Sequence, residues 1–415
     1  MLSRLLVQLA PRLLAAALVA AVASPLVPSA PAGAATDAGT ILYVKGYDVY
    51  VARSDGTDAR RLTTSGTAAS PWVSPDGADD GTVVAARGPV VYRMDQWGTV
   101  LNKFDPPDGT DTAGDPIGGT VTHVAISPDG SKVAYTYEHY TCPPRLSCKT
   151  RWLTSISAAD HLTSPQQYGP SPYDNPTWIS DRRLLLNGRD ADGIVVFDIG
   201  VKNSFWFNDG DGTGYYTGPV TEPALSRDGR VFAAAYDDLV VTYAMNGDVR
   251  SGNPPQTPTP TCGISGAADL PGPTVAPDAS ALAWEEADGV WAKAAPLDCE
   301  VQPALLIPGA RQPAWSAAAL QTTRPEARFS LVRKPDVTGR AVPGKVLTAD
   351  PGVWSPLPSR VAYQWLRDGR PVAKATRSSY RLARADRAHR ISVRVTVRSD
   401  GFRPASATSA AVRVR

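Results

Sequence analysis

Short apolar runs separated by polar, Gly- and Pro-rich clusters recur from residue 41 to the end of the chain. Ile41-Leu42-Tyr43-Val44, Asp48-Val49-Tyr50-Val51 and Arg60-Arg61-Leu62-Thr63 read as three successive strands. Lys132 to Tyr137 and Val231 to Tyr236 are further strand-like runs, each following a turn cluster. Near the other end, Ile391 to Arg398 alternates apolar and polar residue by residue, the period of a half-buried strand. The pattern predicts an all-β chain.

The turn clusters repeat. Ser-Pro-Asp-Gly, or a degraded form of it, begins at Ser74, Ser127, Ser180, Ser226, Ala276 and Ser316, at intervals of 53, 53, 46, 50 and 40 residues. Such a period suits a four-stranded propeller blade. Pro pre-sets φ, Asp bonds to nearby backbone and Gly accepts positive φ, so each copy is expected to be a turn. Three strands stand before the first copy, and Pro313-Ala314-Trp315-Ser316 begins a unit that does not continue. One strand from the end and three from the start would complete a sixth blade and remove exposed edges. The expected fold is a six-bladed β-propeller closed by strands from both ends, followed by a small β-sandwich.

Asp48-Val49-Tyr50-Val51, Ser54-Asp55-Gly56-Thr57, Arg60-Arg61-Leu62-Thr63 and Trp72 to Gly77 resemble the TolB-type propeller repeat. That resemblance implies the propeller fold over about residues 40–320 and says little about activity. Beyond a linker at 322–327, Gly352 to Pro356, Tyr363 to Gly369, Ser379 to Leu382 and Ala385-Asp386 resemble a bacterial immunoglobulin-like domain of surface and secreted proteins. This implies a sandwich over 328–415 with Trp365 at its centre. Ala388 stands where that family usually has Gly.

Residues 1–35 read as an export signal: Arg4 and Arg12 precede the apolar stretch Leu13 to Ala23, and small residues follow at Ala32 to Ala35. The propeller is expected over 36–321, in a secreted or extracytoplasmic protein, and no second apolar run approaches membrane-spanning length. Four cysteines fit an oxidising compartment, with Cys142–Cys148 and Cys262–Cys299 the first choice among three connectivities.

The net charge of +2 hides a split. Residues 324–415 carry twenty Lys/Arg against six Asp/Glu, a net of +14, while residues 1–323 without Arg4 and Arg12 carry −14. Three readings stand for the basic half. Arg394, Arg398, Arg413 and Arg415 could face an anionic wall polymer or membrane surface; the sandwich could dock on its own acidic propeller; or the arginines could be an ordinary solvated surface. Nucleic acid is not an expected partner.

No Gly-x-Ser-x-Gly elbow, His-Glu-x-x-His or phosphate-binding Gly loop is present. Asp209, Asp211 and Thr213 form a candidate Ca²⁺ loop that lacks the usual late carboxylate, and a polar hairpin turn explains the same residues. Asp190, Asp192 and Asp198 form a weaker version. Trp206, Tyr215 and Tyr216 are candidate ligand contacts beside that loop, or blade-edge residues. No cofactor other than this Ca²⁺ is expected. The expectation is a secreted, monomeric, non-catalytic recognition protein that binds a protein or cell-wall polysaccharide through propeller loops. The alternative is a carbohydrate-active enzyme using channel-facing carboxylates.

Overall fold

A computed structural model of the chain describes residues 39–415 except 107, 111–115, 143–147, 160–172, 189–192, 202–203, 208–219, 237–238, 266–271, 325–327 and 400. The described residues are almost wholly β, with a single short 3-10 turn at Arg384–Asp386. No helix among them is long and apolar enough to cross a membrane. The expected export segment, residues 1–35, lies outside the described residues.

Residues 40–316 form six antiparallel sheets of three or four strands, numbered I to VI here, and a two-stranded ribbon of Gly109–Thr110 with Pro116–Ile117. Sheet I joins Ala310–Ser316 to Thr40–Lys45, Asp48–Arg53 and Arg60–Arg61, so one strand from late in the chain pairs with three from its start. Sheet II runs from Val73–Gly77 through Val83–Arg87 and Val90–Met94 to Val100–Phe104. Sheet III has three strands, Val121–Ile126, Lys132–Thr141 and Lys149–Ala158. Sheets IV, V and VI have four strands each and begin with Asp174–Ser180, Thr221–Leu225 and Thr274–Val275.

Each sheet buries both faces, and alternation along a strand divides its side chains between two neighbours. Leu42 packs with Trp72, Val83 and Met94 between sheets I and II, whereas Ile41 and Tyr43 pack with Val290, Ile307 and Trp315 between VI and I. The other junctions have their own clusters: Val84, Phe104, Ile126 and Tyr135 for II–III; Ile156, Trp178 and Leu184 for III–IV; Phe207, Phe232 and Tyr243 for IV–V; and Val240, Ile264 and Trp284 for V–VI. Six sheets in an open row would have five such junctions. Six are present.

One expected turn is a strand. Ser74-Pro75-Asp76-Gly77 lies in the first strand of sheet II, and the chain reverses four residues later, where Gly81 N–H bonds to the Ala78 carbonyl. Asp80-Gly81 supplies the turn chemistry there, matching the corners where Gly130 closes on Ser127 and Gly229 on Ser226. Gly77 serves a different need: a Cβ there would lie 2.8 Å from both Leu42 Cδ1 and Ser316 Cβ.

Residues 330–413 form three further sheets, of two, three and five strands. Ser330–Arg333 pairs with Val353–Ser355, and Val346–Asp350 pairs with Asp336–Gly339 on one side and Ser379–Arg381 on the other. The largest contains Arg360–Arg367 and Arg390–Arg398 at its centre. One core holds Trp354, Trp365, Leu382, Val393, Val395 and Val397, with Trp365 fully buried. Ala388 adopts φ 67, the left-handed conformation a glycine would take, so the turn is retained with alanine.

Candidate functional site

The first strands of all six sheets enclose a cavity of about 340 Å³. A recurrent Pro sets its shape. Ser74, Asn175, Glu222 and Gln312 have φ of 49, 48, 52 and 50, and Gly272 has φ 47; each stands immediately before a Pro. Left-handed φ is rare for non-glycine residues and strained. In the four longer strands the register slips at this point, a β-bulge that frees the residue before Pro from its own ladder.

The freed groups join neighbouring sheets. Gln312 Oε1 of sheet I accepts the Ser74 N–H of sheet II at 2.8 Å, and Ser74 Oγ accepts the Val124 N–H of sheet III at 2.9 Å. Asn187 Oδ1 of sheet IV accepts the Glu222 N–H of sheet V at 2.6 Å. Glu222 Oε2 in turn accepts the Gly272 N–H of sheet VI at 2.6 Å, and Glu285 Oε2 accepts the Gln312 N–H at 2.9 Å. Sheets III and IV are joined instead by Trp178 Nε1 donating to the Ala125 carbonyl at 3.1 Å. His123 occupies the pre-Pro position of sheet III without a following Pro, and its Nδ1 is buried with no partner among the described residues.

Three carboxylates line the cavity, and each accepts an N–H from the next sheet. Asp76 Oδ2 takes that of Ile126 at 2.8 Å; Glu222 and Glu285 take those of Gly272 and Gln312. Burial pushes Asp76 up to about 6 and Glu222 up to about 7, and also raises Glu285. Burial pushes His123 down to about 4, so its ring is neutral at pH 7. The remaining wall is mixed, with Pro75, Pro223, Pro313 and Val275 interspersed with polar Asn175 and Thr177. At the corner end, Arg227 of sheet V pairs with Asp79 of sheet II at 2.9 Å, joining sheets three places apart in the succession.

The residues singled out from sequence fare differently. Asp209, Asp211, Thr213, Tyr215 and Tyr216 lie outside the described residues, as do Asp190 and Asp192. Asp198 is engaged by Arg183 through two bonds of 2.7 and 2.6 Å. Trp206 is a core residue rather than a contact: it is buried against Phe207 and Phe232, and its Nε1 donates to the Pro255 carbonyl. Cys142 bonds to Cys148 and Cys262 to Cys299. Arg394, Arg398, Arg413 and Arg415 are all exposed. No group of three metal-binding side chains occurs among the described residues. The cavity carboxylates were missed. A Pro three residues before the corner Ser or Ala, as in Pro75/Ala78 and Pro223/Ser226, would have found the positions of Asp76 and Glu222; Glu285 has no such neighbour.

No family model matches the chain, and no curated protein matches it. Similar solved structures include a TolB-like protein of Agrobacterium tumefaciens, 13% identical, covering 68% of this chain and 92% of that one at a TM-score of 0.40. The β-propeller domain of Myceliophteria thermophila Cps50 (Swd1) is 9% identical over 78% and 97% of the two chains, with a TM-score of 0.39. A functionally unknown protein of Desulfotomaculum acetoxidans is 12% identical over 62% and 75%, with a TM-score of 0.37.

Proposed function

We propose that this chain is an exported, non-catalytic recognition protein. In this reading the six sheets are blades of one propeller closed by strands from both ends, and residues 328–415 are an Ig-like sandwich. A protein or cell-wall ligand is held by loops at the end of the cavity away from the Arg227–Asp79 pair. The sixth inter-sheet cluster, between sheets VI and I, supports closure. Both disulfides are compatible with an oxidising compartment outside the cytoplasm.

The observation that carries the non-catalytic reading is the state of the cavity carboxylates. Asp76, Glu222 and Glu285 each serve as an acceptor between sheets. In each of them one carboxylate oxygen is committed to a backbone N–H of the next sheet, a structural use that favours recognition over general-base or nucleophile chemistry. The test pairs retention with turnover. The exported protein is incubated with purified cell-wall fragments and with chromogenic glycosides. Retention on the fragments without release of reducing ends or chromophore is expected. Turnover abolished by Glu222→Gln or Glu285→Gln would replace recognition with hydrolysis.

A further inference from the structure

Strand register gathers five arginines on one face of the largest C-terminal sheet. On Arg390–Arg398, Ile391, Val393, Val395 and Val397 point into the core, so Arg390, Arg394 and Arg398 point outward. Arg360 stands directly opposite Arg398, and Arg413 directly opposite Arg390. All five are exposed. At about 3.3 Å per residue the row extends for roughly 26 Å, with a cationic pair at each end and Arg394 in the middle.

Folding does not explain this arrangement. Like charges directly opposite each other on a sheet are destabilising, and none of the five has an ion-pair partner among the described residues. The domain's described carboxylates pair with other side chains: Asp350 with Arg333, Asp386 with Arg367, and Asp368 with His389, the other Asp368 oxygen accepting the Arg390 backbone N–H rather than its guanidinium. Asp336 lies in a different sheet. Between the arginines stand hydrogen-bonding side chains, Gln364 and Thr408 opposite Arg394 and the Thr396–Ser406 hydroxyl pair.

We propose that this face is a docking surface for a linear phosphodiester polymer of the cell wall. The inference deepens the recognition reading and rests on its export and wall-facing placement. Guanidinium forks match phosphate oxygens in bidentate geometry, and a straight row of them suits an extended chain. The face carries no exposed aromatic or large apolar side chain, which a bilayer interface would use. Nor does it offer rings on which nucleic-acid bases could stack.

The probe is synthetic poly(glycerol phosphate), titrated against the full exported chain at several salt concentrations. Wild type is expected to bind with strong salt dependence. Arg394→Gln with Arg398→Gln is expected to weaken binding at least tenfold and to lower the slope of log affinity against log salt by roughly 1.5, at about 0.7 per lost contact. Arg377→Gln with Arg384→Gln, exposed arginines off this face, should change binding less than twofold. Matched melting curves establish that both doubles are folded. No binding, equal losses in the two doubles, or tighter binding to phosphatidylglycerol vesicles or to a single-stranded oligodeoxynucleotide would overturn the proposal. Glu222→Gln is expected to leave this binding unchanged. Failure here with wall retention intact would sink the arginine face alone; loss of retention with polymer binding intact would sink the cavity reading.

Discussion

The two halves of the molecule use charge in opposite directions. In the six-sheet region, carboxylates turn inward: Asp76, Glu222 and Glu285 are desolvated and each holds a neighbouring strand through a backbone N–H. In the C-terminal region the arginines turn outward, and among the described residues the fully buried ionisable side chain is Asp386, bonded by Arg367, Tyr380 O–H and the Ala383 N–H. The packing differs in the same way. Six thin clusters between sheets share the apolar burden in the first region, whereas one core around Trp365 bears it in the second. A region whose cohesion is spread around a circuit can tolerate polar groups at its centre, provided each bonds to a neighbour. The small single core keeps one such group, Asp386, fully bonded, and its arginines go to the surface.

Removing one core side chain from each half breaks the comparison most severely. Trp365→Ala should cost about 3–5 kcal/mol, as large-to-small changes at fully buried aromatics do, and should lower the transition of the C-terminal region. Trp284→Ala, at the V–VI junction, should cost a similar amount in the six-sheet region. Calorimetry on the two variants reads which transition moves; one shared shift would mean that the halves do not melt separately.

The next effect depends on pH. Burial raises Glu222 from 4.5 to about 7. Between these values the unfolded chain releases a proton that the folded chain keeps, so stability falls as pH rises from about 4.5 to 7 and then levels off. Glu222→Gln keeps an oxygen for the Gly272 N–H and has no charge to bury. It should therefore flatten this slope and gain about 3 kcal/mol at pH 8, with little change at pH 4.5. Urea midpoints measured across that range check it, and a parallel slope in the variant would show that Glu222 is not the group responsible.

Gly77→Ala tests close approach in the inner strands. The added methyl meets Leu42 and Ser316 at 2.8 Å, so strand spacing must give and about 1–3 kcal/mol should be lost. The smallest effect has the opposite sign. Ala388→Gly should stabilise by about 0.5–1 kcal/mol by relieving an alanine at φ 67. Chemical denaturation of both variants measures these shifts.

Much of the architecture was legible where one local signal had one meaning. Ile41 to Val44 and Pro313-Ala314-Trp315 were readable as strands needing each other, and they pair. Cys142 and Cys148 stand close in sequence, and the immunoglobulin-like resemblance placed Trp365 at the core centre, so both were readable too. Ser74-Pro75-Asp76-Gly77 misled because a second turn signal, Asp80-Gly81, follows within four residues and takes the corner instead. Trp206 misled because polar and glycine neighbours on one side said nothing of Phe232, which comes from another sheet. Asp76 follows a recurrent Pro and Glu222 precedes one, but Glu285 has no such neighbour, and the three meet in one cavity only through strands of different sheets. Arg360 and Arg390 joined the basic face only once strand register was known.

The central claim is that late and early segments of the chain complete one sheet and so enclose the cavity. Leu42 stands opposite Ala314 in that pairing. With both replaced by cysteine, mild oxidation of the folded protein should give a single new disulfide, seen by mass spectrometry as a peptide containing residue 42 linked to one containing residue 314. Failure to form that link in folded protein, with the native Cys142–Cys148 and Cys262–Cys299 bridges intact, would contradict the closure on which the site depends.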